Sequence, residues 1–424
     1  MIYVLMSIRI WNPIANSLLW RKEWTSWARY VSFGALKFIH AMPMTKTLRI
    51  AIVCDSIDTT LWGSYISAQR FAKWLAEQWH HIVWCTSTFR DEKKRKEFGY
   101  AKVYEFASLF PIGYQHVRFA YPRVSRLVEI FEKEKIDIVY NIHPCYLWRQ
   151  AYRAGQKLWI PMITHSHIWA QLLFPWLPAF IQNLVKKAIA RLYKKYDGIV
   201  FPTAFSKKDF DDCHLWIKEA IISNGVDTNI FHPATHTQKE MLNILYVGRL
   251  DPEKHIHVLL DAIHLLKLEN KLDKHMQCAI VWSWSESKKL HSLTKSYGLE
   301  DVVHFTGKIA SWSKELVAQY QNSIYVLTSL YELESMTTLE AMACWCPILI
   351  ANSEYSAATF FVKENGYLFD PKSPKDLAEK LYQLSRNPTL LDTMSKKSIE
   401  YSVNFSFKRS VEQLLDFFVF FLKK

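Results

Sequence analysis

The chain has 424 residues, half of them hydrophobic and 22% charged, which provides a sizeable core for two or three domains and excludes disorder or low complexity. Its net charge of +13 suits an anionic substrate, nucleic acid or an anionic membrane surface, and equally a solvated basic face. Seven scattered cysteines with no CxxC pair exclude a disulfide framework or a cysteine-built zinc site, and read as reduced thiols of a cytoplasmic protein.

Residues 1–43 are basic, tryptophan-rich and poorly patterned, and read as an appendage or a mis-assigned start. From Met44 onward, strand and helix alternate. Strands are expected at 48–55, 80–87, 136–142, 161–167 and 198–203, with helical spacing over 67–78 and in the stretches that precede the later strands. The strands are continuous apolar runs, as a parallel sheet covered on both faces requires. One α/β domain over 44–232 follows. Residues 233–240 are polar, begin with Pro233 and read as a linker. The alternation then restarts, with strands at 242–249, 277–283, 302–307, 323–329 and 347–352 and a helix at 256–269, so a second α/β domain is expected over 241–395. Residues 396–424 end in the apolar helix "VEQLLDFFVFFLKK", which is too short to span a bilayer and is expected to pack back on the first domain.

Two residue counts stand out: 11 glycines and 17 tryptophans. Average usage gives about 30 glycines in a chain of this length, close to the two counts together. Trp79, Trp159, Trp216 and Trp345 stand between helical and extended stretches, where a left-handed residue, normally glycine, ends a helix. Trp282 and Trp284 form "VWSWSES" between a strand and a helix, the layout of a glycine-rich phosphate turn. Trp62 stands beside Gly63 in the first strand-to-helix loop. Translation of UGA glycine codons as tryptophan accounts for all seven sites. A truly tryptophan-rich protein is the alternative, and Trp74, in mid-helix, fits that alternative better.

With glycine at 282, 284 and 345, the second domain contains "YVGRLDPEKHIHVLLDAI" (246–263), "IVGSGSESKKL" (280–290) and "SLYELESMTTLEAMACGCP" (329–347), preceded by "ISNGVDTNIFHP" (222–233). In this order the motifs resemble glycosyltransferase family 4, over residues from about 47 to about 415. The resemblance implies the GT-B fold, two Rossmann-like domains with parallel sheets facing across a cleft, and transfer of a hexose from a nucleotide-sugar with retention at the anomeric carbon.

Residue roles follow from the same resemblance. Arg249 and Lys254, in "GRLDPEK", are implied to neutralise the leaving diphosphate, a task that suits fixed cations. Glu332 and Glu340 form the E-x7-E pair: Glu332 contacts the donor sugar, and Glu340, opening a helix, binds the ribose hydroxyls. His167 aligns with the family histidine near the donor sugar, and His165 is its rival. The expected catalytic set is His167, Arg249, Lys254 and Glu332. The expected donor-binding set adds Gly63, Gly248, Trp282, Trp284, Thr338, Leu339 and Glu340. Ser64, Thr203 and Asn224 match further family positions. The stretch "ESMT" (334–337) departs from the commoner family form, an aromatic residue followed by glycine.

No obligatory metal or other cofactor is implied. The one DxD-like run, "DFDD" (209–212), lies in a helical part of the first domain. The basic stretch "LVKKAIARLYKKY" (184–196) has apolar residues at helical spacing and suits either an anionic membrane or an ordinary surface helix. Segments 66–78 and 351–369 resemble diacylglycerol glucosyltransferases, which implies UDP-glucose as donor, a lipid or cell-envelope glycan as acceptor, and a place on the inner face of the plasma membrane. Two other readings are a nucleotide-sugar epimerase and, if the tryptophans are real and fill the cleft, a non-catalytic binding scaffold. Nothing in the motifs suggests a nucleic-acid partner.

Overall fold

Two parallel sheets carry the chain from Arg49 to Phe369. The computed structural model describes residues 47–55, 63–89, 91–108, 118–142, 146–167, 178–233, 242–273, 276–282, 285–310 and 313–423. The expected appendage 1–43, Trp62, Trp284 and all but Pro233 of the expected linker lie outside the described residues.

The first sheet holds β1 Arg49–Val53, β2 His81–Ser87, β3 Lys102–Phe106, β4 Ile138–Asn141, β5 Met162–His165, β6 Gly198–Phe201 and β7 Lys218–Ile221. Their order is β3-β2-β1-β4-β5-β6-β7, every pair parallel. The second sheet holds β8 Leu242–Val247, β9 Met276–Val281, β10 Val303–Gly307, β11 Ser323–Leu327, β12 Ile348–Ala351 and β13 Gly366–Phe369, in the order β10-β9-β8-β11-β12-β13, again all parallel. Central strands are buried on both faces: Ile50, Ala51, Ile52 and Val53 are each at most 1% exposed. β3 and β7 escape the apolar-run reading because they are polar sheet edges. "KVYEF" and "KEAI" are half exposed and carry lysine and glutamate.

The helices are α1 Gly63–Glu77, α2 Glu92–Lys96, α3 Val124–Lys133, α4 Tyr146–Leu158, α5 Ala179–Tyr193, α6 Ala204–Lys208, α7 His257–Leu268, α8 Ser287–Ser296, α9 Lys314–Tyr320, α10 Met336–Ala343, α11 Pro374–Ser385, α12 Pro388–Ser402 and α13 Phe407–Leu422. The chain crosses between the halves twice. On the way out it uses the segment after β7, and on the way back the segment between α12 and α13. The two crossings pair: Val226 N–H donates to Phe405 O at 2.8 Å, and Phe407 N–H donates to Val226 O at 2.8 Å.

The return lies later than the expected 396. Helix α12 stays with the second half, where Met394 is in the core and Ser398 Oγ donates to Cys346 O at 2.5 Å. Helix α13 then buries Phe407, Val411, Leu414 and Phe418 against Ile50, Ile52 and Phe71 of the first half. Its approach to β6 needs glycine: a Cβ at Gly198 would lie 2.6 Å from the Phe421 ring. No helix among the described residues is long and apolar enough to cross a membrane.

Candidate active site

Parallel α/β sheets bind ligands beyond the carboxyl ends of their strands, where the strand order reverses. In the second sheet that point lies between β8 and β11. The segments that leave those two strands, 248–256 and 328–335, therefore share one crevice. Lys254, in a single 3-10 turn before α7, places Nζ 2.8 Å from Glu332 Oε1 and 3.4 Å from Ser329 Oγ. The backbone joins the same contact, since Thr328 Oγ1 donates to Lys254 O at 2.6 Å. Arg249 stands two residues past β8, with its guanidinium 2.6 Å from Asp251 Oδ2 and 3.4 Å from Glu253 Oε1. The structure thus brings Lys254 and Glu332 together and ties Arg249 to Asp251 and Glu253 in the segment that leads to Lys254. Gly248, at φ +156°, lets the chain turn where a Cβ would crowd the Tyr246 hydroxyl at 3.0 Å.

Helix α10 begins between the two glutamates of the E-x7-E pair in sequence, four residues after Glu332. Glu340 does not open that helix as expected. It sits in the second turn, 5% exposed, and accepts the Tyr320 hydroxyl at 3.0 Å. Burial raises its carboxyl to about 7, while Arg70 and the Tyr320 bond act to lower it. Thr338 is fully buried and bonded to Ser335 Oγ at 2.7 Å, and Leu339 lies in the core, so both side chains support the helix.

From the first half, Gly63 is the first residue of α1 rather than part of a loop. A Cβ on Gly63 would meet Met336 Sδ at 3.6 Å, and Ser67 Oγ donates to the same sulfur at 3.3 Å. Ser64 is buried beside it. The N-terminal turns of α1 and α10, one from each half, thus meet. His167 lies just past β5 and is half buried. His165 is 1% exposed, its Nδ1 bonded to the Tyr140 hydroxyl at 2.5 Å, and its ring stands 3.9 Å from that of His167. Of the two histidines, His165 is thus a core residue and His167 the one at the strand end.

Thr203 caps α6, accepting from Ser206 N–H at 3.1 Å, and reaches the other half by donating to Leu333 O at 2.8 Å. Asn224 donates its backbone N–H and its side-chain Nδ2 to Glu334 Oε2 at 2.9 and 2.6 Å. Glu334 and Arg70 were not among the expected site residues. A carboxylate in "ESMT", where the family form carries an aromatic residue, was the available signal for Glu334. "DFDD" forms no helix: it spans the end of α6 and a 3-10 turn. Asp211 and Asp212 there pair with Lys207 at 3.4 Å and Lys186 at 2.9 Å. Among the described residues no group of three or more His, Cys, Asp or Glu is placed to hold a metal ion.

Eight tryptophans are described, and they fall into two sets. Trp84 and Trp148 are 0% and 3% exposed in strand and helix, and Trp74 packs against the core from mid-helix. Trp79, Trp159, Trp216, Trp282 and Trp345 have φ of +66°, +58°, +58°, +116° and +73°. Trp79, Trp159 and Trp216 are 86%, 92% and 85% exposed, so core packing does not offset the strain of that conformation. Trp79, Trp159 and Trp345 each complete a helix-ending pair of hydrogen bonds, as in Trp345 N–H to Met342 O at 3.2 Å and Cys346 N–H to Ala341 O at 2.9 Å. Gly298 makes the same pair at φ +61°. Trp216 follows a 3-10 turn and Leu215, not a helix end.

Two parallel α/β sheets with a basic cluster at the strand ends define a GT-B glycosyltransferase architecture. Comparison with known proteins agrees. Residues 63–230 match the family Glycosyltransferase Family 4, and residues 227–401 match Glycosyl transferases group 1. Alpha-monoglucosyldiacylglycerol synthase of Streptococcus pneumoniae is 22% identical over 389 residues, covering 87% of this chain and 86% of that protein. Poly(ribitol-phosphate) alpha-N-acetylglucosaminyltransferase of Staphylococcus aureus is 26% identical over 236 residues, 54% of this chain and 45% of that one. Among solved structures, Anabaena HepE in complex with UDP superposes with a TM-score of 0.68 at 18% identity, covering 87% of this chain and 99% of that one. Sucrose-phosphate synthase from Thermosynechococcus elongatus does so with 0.68 at 18%, covering 89% and 99%. These structural likenesses concern the fold. The chain is a glycosyltransferase in which a Family 4 region is followed by a group 1 region.

Proposed function

We propose that this glycosyltransferase moves a hexose from a UDP-sugar, UDP-glucose first among them, to a hydroxyl of a membrane lipid, with retention at the anomeric carbon. The observation that carries the reading is the Arg249, Lys254 and Glu332 cluster at the β8/β11 switch point. Lys254 and Arg249 would stabilise the departing diphosphate, and Glu332, now held by Lys254, would turn to the sugar hydroxyls once a donor takes that lysine. The bond from the anomeric carbon to phosphate breaks, the bond to the acceptor oxygen forms on the same face, and the acceptor proton passes to the leaving phosphate oxygen. Glu340 would take the ribose hydroxyls and His167 would stand by the donor sugar. The α1 and α10 N-termini add favourable dipoles. No residue role here calls for a metal.

The lipid acceptor is supported by the name of the Streptococcus relative, and the donor by solved HepE structures with UDP and UDP-glucose. Helix α5 supports a membrane surface on the cytoplasmic side: Phe180 and Leu184 are 67% and 61% exposed beside Lys187 and Arg191. The test is mass-resolved transfer from UDP-glucose to diacylglycerol or monoglucosyldiacylglycerol in anionic vesicles. Glucolipid with an α linkage supports the reading. Nucleotide binding without transfer to either lipid moves the acceptor to an envelope glycan, and no nucleotide binding removes the donor assignment.

The natural residue at 79, 159, 216, 282 and 345 is, in the same reading, glycine, and the proposal extends to Trp62 and Trp284. Support comes from the left-handed φ values, the helix-ending hydrogen bonds shared with Gly298, and the contrast with the core tryptophans Trp84 and Trp148. Glycine at 282 would clear an indole from the end of β9, beside the donor crevice. Peptide mass spectrometry of the protein from its own cells decides this, and tryptophan at 345 would refute it.

A further inference from the structure

Three consecutive residues before α10 are pinned to three different parts of the molecule. Glu332 bonds Lys254 at 2.8 Å, and its carbonyl accepts Ala357 N–H at 2.8 Å, both within the second half. Leu333 O accepts from Thr203 of the first half at 2.8 Å. Glu334 Oε2 accepts both N–H donors of Asn224 on the outgoing crossing. The next residue, Ser335, has φ +78°, a conformation that costs a non-glycine residue roughly 1–2 kcal/mol. Strained residues of this kind persist where their surroundings over-determine them.

The crossing is held from its other side as well. Arg70 of α1 donates from Nη1 to Gly225 O at 3.2 Å and lies 4.5 Å from the Phe407 ring of α13. It is 7% exposed, and Glu340, Asp227 and Glu334 are the carboxylates whose fields reach it. One buried cation of the first half thus faces two buried carboxyls of the second across the crossing segment.

We propose that Glu334 is a positioning residue: its bonds to Asn224 latch the 332–335 turn onto the interdomain crossing, hold Ser335 left-handed, and so set where α10 starts and how Glu332 and Glu340 are presented to the donor. This rests on the reading of that crevice as the nucleotide-sugar site. The latch links donor geometry to the relative placement of the halves, because Asn224 moves with the crossing while Glu332 and Glu340 move with the second sheet. An alanine at 334 leaves the two Asn224 donors buried and unpaired, whereas glutamine keeps an oxygen that accepts both.

The test compares Glu334→Gln and Glu334→Ala in the full chain, with UDP-glucose turnover and amide hydrogen exchange over 332–340. Glu334→Ala is expected to raise the KM for UDP-glucose about tenfold, a loss of about 1.4 kcal/mol, with a smaller change in kcat, and to speed exchange in 332–340. Glu334→Gln is expected to stay within about twofold of the wild type on both readouts. Adding Ser335→Gly to Glu334→Ala is expected to recover part of the KM, because the left-handed residue no longer needs holding. If Glu334→Ala does not fold, Glu334→Asp, which draws the carboxylate back by one methylene, carries the same comparison. Unchanged exchange in the alanine variant, or a glutamine variant as damaged as the alanine one, overturns the latch. Exchange is read without nucleotide, so a wild-type protein inert to UDP-glucose with fast exchange in Glu334→Ala would instead overturn the donor reading.

Discussion

The two halves share an architecture and prepare their strand ends differently. In the second half the polar groups beyond β8 and β11 already bond one another, as Lys254 does with Glu332 and Arg249 with Asp251. Among the described residues, the first half offers Gly63 at the start of α1, where a Cβ would approach Met336, and at the end of β5 a pair of histidines of which one is core. A charged nucleotide needs fixed countercharges before it arrives. An acceptor needs space and one or two directing groups. The prepared side is therefore expected to lose far more on substitution than the open one.

The sharpest way to break that contrast is to remove the cations. Lys254→Ala and Arg249→Ala are each expected to lower kcat/KM for UDP-glucose by about 10²–10³, and also to lower Tm, because each leaves a largely buried carboxylate, Glu332 or Asp251, without its countercharge. Loss below about tenfold would place the diphosphate elsewhere. On the open side, His167→Ala is expected to lower kcat by about 10–100-fold with nucleotide affinity unchanged. His165→Ala removes a wholly buried ring and its hydrogen bond to the Tyr140 hydroxyl, and is expected to cost about 2–4 kcal/mol, read as a lower denaturation midpoint. Equal loss of stability in the two variants would erase the distinction between them.

The interface of the halves is also where pH should act. Burial raises Glu334 and Glu340 to about 7, against an ordinary carboxyl near 4.5. The folded state then binds more protons than the unfolded chain between those values, so stability falls as pH rises from about 4.5 through 7. Tm is expected to be a few degrees higher at pH 5.5 than at pH 8, and Glu334→Gln is expected to flatten part of that slope. A Tm that rises over this range would contradict the assignment. The smallest effects belong to the exposed helix ends: Trp79→Gly and Trp159→Gly should each stabilise by about 1 kcal/mol through relief of the left-handed strain, measured by urea midpoint.

Much of the molecule is legible in local pattern. Continuous apolar runs identify the buried parallel strands, and edge strands go unread because half-exposed residues such as those of "KEAI" carry no such run. "GRLDPEK" and the E-x7-E spacing point to a single crevice because strand order places both loops at one point. Even the anomalous tryptophans can be read from sequence, since the end of a helix is a local event with a strong backbone preference.

Distant pairing is not written in local spacing. Glu334 lies 110 residues from Asn224, and Tyr140 lies 25 from His165. The first pair makes a polar residue into a latch, and the second makes one of two histidines structural. The return to the first half after α12 depends on the same kind of partner, because Ser398 and Met394 find theirs in the second half and Phe407 finds its own in the first. Sequence by itself determined the two α/β halves, the motifs that lie at the ends of β8 and β11, and the helix ends that take a left-handed residue, because periodicity and backbone preference act over a few residues. Tertiary structure decided which polar groups are buried together, because satisfying a buried donor or acceptor depends on whatever segment the fold brings within hydrogen-bond reach.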